Sequence, residues 1–171
     1  LRTDQEFEDF QLTLEFKVPP GGNSGIYLRG LYEAQVVDRD SRMQGLHGVG
    51  SIFNRIAPSG NHGKPGNQWQ HYDITLVDRH ITVILNGVEV IDNQALVGCT
   101  NGALQANDSL PGPLYLQGDQ GRSIPHRRRD GKFNDDGTGR QPQHVHPRRI
   151  LQRQCPHEVR DESAFGIVDD A

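Results

Sequence analysis

The run EDFQLTLEFKV, residues 8–18, constrains the fold of this chain more than any other stretch. Phe10, Leu12, Leu14, Phe16 and Val18 recur at every second position, with Gln11, Thr13, Glu15 and Lys17 between them. Side chains of a strand point alternately to its two faces, so this pattern makes a strand with one buried and one solvated face. A helix would scatter the same apolar residues around its circumference. A one-sided strand is stable only against a second layer.

The rest of the chain supplies that layer in the same idiom. NSGIYLRGLYEAQVVD (23–38) reads as two strands joined near Gly30-Leu31. WQHYDITLVD (69–78) is a strand, followed by a short turn at 78–80. ITVILNGVEVID (81–92) is a hairpin, because Asn86-Gly87 suits a type I′ turn that needs positive φ at both central positions. PLYLQG (113–118) is a further strand. Residues 39–68 and 93–111 are long loops rich in turn formers, with one short strand expected around Ser51–Ile56. No helical period stands out. The fold class expected is all-β: an antiparallel β-sandwich of the jelly-roll kind, in one domain spanning residues 1–121.

Charge and cysteine narrow the function classes. The net charge of −4 argues against a nucleic-acid surface. Two cysteines, Cys99 and Cys155, are too few for a disulfide framework. No stretch is long and apolar enough to be a membrane-spanning helix. The chain opens at Leu1 without an initiator Met, directly before a strand, so the sandwich is expected to be truncated at its N-terminus.

One hairpin carries an unusual solvent face. Asn23, Tyr27, Arg29, Glu33 and Gln35 share one alternation of residues 23–38, and Ser24, Ile26, Leu28, Ala34 and Val36 share the other. Two amides, an aromatic ring, a guanidinium and a carboxylate on one face make a candidate site. The plain alternative for Arg29 and Glu33 is a cross-strand surface ion pair worth about 0–1 kcal/mol, which the strand pattern alone favours. Asn23 follows two glycines and suits a turn. Tyr27 is also simply a good β-former. Asp38 falls in the opposite alternation and reaches the face only if the strand ends or bulges there.

Four segments carry a resemblance: FEDFQLTLEFKVPPGGNSGIYLRGLYEAQVVD, NQWQHYDITLVD, VILNGVEVIDN and GPLYLQGDQG. Over most of residues 1–121 the chain resembles the 3-keto-disaccharide hydrolase family, and the run from Gly21 to Asp38 is the specific part. The resemblance implies a concanavalin A-like jelly roll, periplasmic or extracellular, acting on oxidised glycosides. A ketone at C3 of a glucoside acidifies the C2 proton; a base removes it, the aglycone leaves C1 by β-elimination, and water adds back. That chemistry needs one general base, donors for the enolate oxygen and often a divalent cation, rather than the paired carboxylates of ordinary glycosidases. No cofactor and no metal ligands are assigned.

On this resemblance Glu33 is the expected base and Arg29 the stabiliser of developing negative charge. Asn23, Tyr27, Gln35, Asp38 and Gln117 are the expected substrate-binding residues. His71 and Asp73 share a strand face and are given a structural role, Trp69 a place in the core, and His47 and His62 a place in the long loops. A non-catalytic carbohydrate-binding module on the same sandwich is the competing reading. The segment LQGDQG favours it, because Gln120 stands where the family commonly has a histidine.

Residues 122–171 differ in kind. They hold no Tyr or Trp but nine of the fifteen arginines, and no strand or helix period persists. Such a composition suits a disordered tail. Alternatively, the codons for RSIPHRRRDGK permit, one nucleotide over, Gly-Arg-Tyr-Arg-Thr-Val-Val-Val-Thr-Val, a well-formed strand; the tail is then a product of a shifted frame. Neither RRR nor HVH is read as chemistry, two histidines being weak evidence for a metal.

Overall fold

A computed structural model describes residues 1–117 together with the backbone of two later strands, 144–154 and 158–161. The strands are β1 (Arg2–Phe7), β2 (Phe10–Lys17), β3 (Asn23–Leu28), β4 (Tyr32–Val37), β5 (Gln70–Val77), β6 (His80–Leu85), β7 (Val88–Ala95), β8 (Gly112–Leu116), β9 (His144–Gln154) and β10 (Glu158–Asp161). They form two antiparallel sheets, in the orders β1-β8-β3-β4 and β10-β9-β2-β5-β6-β7. The fold is an all-β sandwich, and the described residues hold a single helical turn, Gly45–His47.

Alternation decides which faces meet. In β2, Phe10, Leu12, Leu14 and Phe16 are buried while the residues between them are half-buried. In β5, Tyr72, Ile74 and Leu76 are buried in the same way. Ile26, Leu28, Ala34, Val36 and Leu114 come from the other sheet and join the same core. Each of the larger side chains among these contributes roughly 1.5–3 kcal/mol on leaving water. The Asn86-Gly87 turn has φ of 54° and 84°, as its type requires.

β1 is a strand that the sequence pattern does not announce. Only Thr3 and Phe7 of its six residues are buried, and its register with β8 shifts between Arg2 and Glu6. The expected strand around Ser51–Ile56 is reduced to single bridges, Ile52 with Ala34 and Ile52 with Ile56. Trp69 is not a core residue: it is 38% exposed, with the Lys17 ammonium 5.1 Å from its ring centre.

β9 lies within residues 122–171, the segment whose composition suits a disordered tail. It pairs antiparallel with β2 from Phe10 to Lys17. β2 offers a row of backbone donors and acceptors on its second edge, and pairing with these depends little on side chains. Pro147, which lacks a donor, lies where the register shifts between Thr13 and Leu14. Gln120 and residues 122–143, where the shifted frame would begin, lie outside the described residues.

Candidate active site

The site is built on the face of β3, β4 and β8 that points away from the core. Pairing places Tyr27 opposite Glu33, Gly25 opposite Gln35 and Asn23 opposite Val37. On the other side of β3, Tyr27 faces Tyr115, and the Gln117 amide donates to the Gly25 carbonyl at 2.8 Å. One surface therefore holds Asn23, Gly25, Tyr27, Glu33, Gln35 and Tyr115, with residue 117 beside Gly25.

Gly25 gives this surface its shape. A Cβ there would lie 2.1 Å from Glu33 Oε1, so the carboxyl occupies the space that a side chain at 25 would fill. A glycine inside a strand commonly marks such a close approach. Glu33 thus lies over β3, between Tyr27 on one side and the Gln35 and Gln117 positions on the other. It is 3% exposed. Burial pushes its carboxyl up from 4.5 to about 7, and a hydrogen bond with Tyr27 pulls it partly back.

Tyr27 is the neighbour that defines the carboxyl. Its hydroxyl lies 3.1 Å from Glu33 Oε2 and 2.6 Å from the Asn101 carbonyl oxygen. Its ring stacks on Tyr115 at 4.2 Å between centres and 9° between planes. Burial, followed by the charge of Glu33, holds the Tyr27 phenol protonated well above its ordinary range. The Tyr115 hydroxyl donates to the Gly102 carbonyl at 2.6 Å.

A loop, residues 98–110, lies across the Tyr27 end of the face. The Thr100 amide donates to Leu31 O at 2.9 Å and the Leu104 amide to Gly30 O at 2.8 Å. The Glu33 amide donates to Thr100 Oγ1 at 3.0 Å. Gly102 approaches so closely that a Cβ there would lie 2.5 Å from the Tyr27 hydroxyl.

Arg29 belongs to this loop rather than to Glu33. The β3–β4 hairpin turns at Arg29 and Gly30, both with positive φ (55° and 65°), which takes residue 29 out of the alternation of Asn23 and Tyr27. Its guanidinium donates to Asp108 O at 2.8 Å and Leu110 O at 2.6 Å. The expected cross-strand ion pair is absent among the described residues; Arg29 pins a loop instead.

The other expected residues divide. Gln35 is buried, and its amide donates to His47 O at 3.2 Å. Its backbone carbonyl accepts from the Tyr72 hydroxyl at 2.6 Å, and that hydroxyl accepts from the Gly50 amide at 2.7 Å. A core residue of β5 thereby ties β4 to the loop that flanks it. Asp38 follows β4, and its carboxylate accepts from the Gly21 amide at 2.8 Å, so it orders the β2–β3 connection. His71 and Asp73 bond at 3.0 Å on the outer face of the opposite sheet, where Thr13 donates to Asp73 at 2.6 Å. His47 lies 2.8 Å from Asn54 Oδ1, and the His62 carbonyl accepts from Asn86. Among the described residues, no group of three or more His, Cys, Asp or Glu side chains is placed to hold a metal ion. The strand pattern does not single out Tyr115 or Gly25; an interior strand glycine in NSGIY and a Tyr two residues before Gln117 are the signals it carries.

Comparison with known proteins places the fold and the family. The model of the 3-keto-alpha-glucoside-1,2-lyase-like domain matches residues 1–129. No curated protein matches the chain. Among solved structures, a candidate glycosyl hydrolase from Parabacteroides distasonis ATCC 8503 is 32% identical, with a TM-score of 0.59 over 68% of this chain and 59% of that one. The chain thus spans less than two thirds of that protein. A second candidate glycosyl hydrolase from the same organism is 25% identical, with a TM-score of 0.56 over 70% of this chain and 75% of that one. A third, 18% identical with a TM-score of 0.57 over 68% and 66%, shares the fold. With a family model covering residues 1–129 of 171, the chain belongs to the 3-keto-alpha-glucoside-1,2-lyase-like domain family.

Proposed function

We propose that this domain cleaves 3-keto-glycosides by eliminative hydrolysis, with Glu33 as the general base. The observation that carries the reading is the Glu33 carboxyl itself: buried, seated over Gly25 and held at about 7. A base works best when its pKa lies near the operating pH, and burial is the ordinary way to raise a carboxyl that far. The ionised carboxyl takes the proton from C2 of the sugar. The C–H electron pair becomes the enolate of the C3 ketone, and its collapse forms the C1–C2 double bond as the aglycone leaves with its electron pair. Water then adds at C1, its oxygen bonding to carbon and one of its protons passing to the departed aglycone oxygen, while the proton held by Glu33 returns to C2. Asn23, Gln35 and Gln117 surround the Gly25 position and suit the sugar hydroxyls. Tyr27 and Tyr115 form the aromatic wall. Arg29 acts at one remove, by fastening the loop that covers the wall.

The test uses a 3-keto-glucoside with a chromogenic aglycone. Glu33→Gln keeps the shape of the side chain and removes the base, so kcat should fall roughly 10²–10⁴-fold while binding persists. In the wild type, kcat should rise with pH through about 7 as the carboxyl ionises. Binding without aglycone release in the wild type would instead make this a carbohydrate-binding module. Turnover retained in Glu33→Gln would remove Glu33 from the role of base.

A further inference from the structure

We infer that ionisation of Glu33 and the grip of the loop 98–110 are coupled through the single proton of the Tyr27 hydroxyl. The hydroxyl has two acceptors in reach, the Asn101 carbonyl at 2.6 Å and Glu33 Oε2 at 3.1 Å, and one proton to give. When Glu33 carries its own proton, every group is satisfied in series: the carboxylic acid donates to the Tyr27 oxygen, and Tyr27 donates to Asn101. When Glu33 is ionised it accepts only. A charged acceptor binds a hydroxyl proton roughly twice as strongly as a neutral one. The Tyr27 proton then turns to Glu33, and the Asn101 carbonyl loses its donor.

The coupling has a functional sense that rests on the reading of Glu33 as the base. In the closed arrangement Glu33 and Tyr27 are nearly sealed from solvent, and no sugar reaches them. The event that arms the base is also the one that loosens the loop above it. Tyr27 is in these terms a positioning residue, acting on substrate access through the loop. Near-neutral titration of Glu33, raised by its burial, puts the switch in the working range.

The surroundings of the carboxyl leave Tyr27 as its only titratable hydrogen-bond partner among the described residues. From β3 it meets Tyr27 and the bare Gly25; from β8, Tyr115 stands behind Tyr27; from the loop, Thr100 is neutral. The flanking strip at 51–53 contributes backbone, with the Phe53 amide donating to the Glu33 carbonyl at 2.9 Å. No cationic side chain bonds to it among the described residues. The loop is also fastened by side chains, among them the Tyr115 hydroxyl to Gly102 O, Arg29 to Asp108 O and Leu110 O, Arg55 to Cys99 O, and the Arg79–Asp108 ion pair at 3.2 Å. His80 lines the shallow cleft at the loop's far end together with Asp108, and Cys99 lies within the loop. These titratable groups remain in place when Glu33 is replaced.

Amide hydrogen exchange on the full chain tests the coupling without substrate. Protection factors are followed at the Thr100 and Leu104 amides, with amides of β5 and β6 as the control for global unfolding. In the wild type, protection of the loop amides should fall about fivefold between pH 5.5 and 8.5, the worth of one hydrogen bond. In Glu33→Gln the side-chain amide donates to Tyr27 at every pH, so protection should stay high and flat. In Tyr27→Phe it should be low and flat. A wild-type loop with pH-independent protection overturns the inference, and so does a pH step that survives in Glu33→Gln. Activity separates the two claims. Loss of turnover in Glu33→Gln with a flat wild-type loop keeps the base and removes the coupling; retained turnover with the step abolished does the reverse.

Discussion

Replacing Glu33 by Gln should stabilise the folded domain at alkaline pH and do much less in acid. The fold raises this carboxyl from 4.5 to about 7, so the native state holds a proton that the unfolded chain has already released between those values. Stability contributed by the protonated form is complete below about 4.5 and is lost as pH rises through about 7. At about 1.4 kcal/mol per pH unit, keeping Glu33 ionised in the folded state costs about 3 kcal/mol. Of this, about 2.5 kcal/mol falls between pH 5 and pH 8.5 by the same linkage. Gln keeps the volume, fits over Gly25 and donates to Tyr27, without the charge. The assay is urea denaturation of wild type and Glu33→Gln at pH 5 and at pH 8.5. The difference in unfolding free energy between the two proteins should shift by about 2.5 kcal/mol in favour of the variant as pH rises. The double difference cancels every other titrating group. A shift below about 0.5 kcal/mol would mean that Glu33 ionises at little cost, and the case for a base poised near neutrality would fall with it.

Three other outcomes follow from the packing. Gly25→Ala places a methyl where Glu33 Oε1 lies, at 2.1 Å, so it should cost about 1–3 kcal/mol by thermal melting and abolish release of aglycone from a 3-keto-glucoside. Tyr72→Phe removes the donor to Gln35 O and the acceptor for the Gly50 amide, both buried, and should cost about 1–3 kcal/mol in urea denaturation while leaving β5 intact. A chain ending at residue 121 lacks β9 and bares the second edge of β2; size-exclusion chromatography should show self-association that the 171-residue chain does not.

Much of the sandwich is legible in the residues because strand alternation is a local property. Phe10 to Val18 and Tyr72 to Leu76 state their buried faces, and the Asn86-Gly87 turn states the pairing of β6 with β7, within a dozen residues. The same alternation placed Asn23, Tyr27, Glu33 and Gln35 on one face, and the register of β3 with β4 agrees. What alternation cannot carry is a residue in a turn. Arg29 continues the pattern on paper, yet its positive φ turns it out of the face and into the carbonyls of a loop some eighty residues later. Asp38, one residue past β4, is likewise claimed by the Gly21 amide. The environment of Glu33 is tertiary throughout. Its depth comes from loop 98–110, its seat from the missing side chain of Gly25, and its hydrogen-bond partner from Tyr27 on the paired strand. The sequence by itself determined that a carboxylate would stand on this sheet face. Whether it would be an exposed ion or a buried acid titrating near neutrality depended on solvent exclusion, which residues distant in the chain impose only once they are packed.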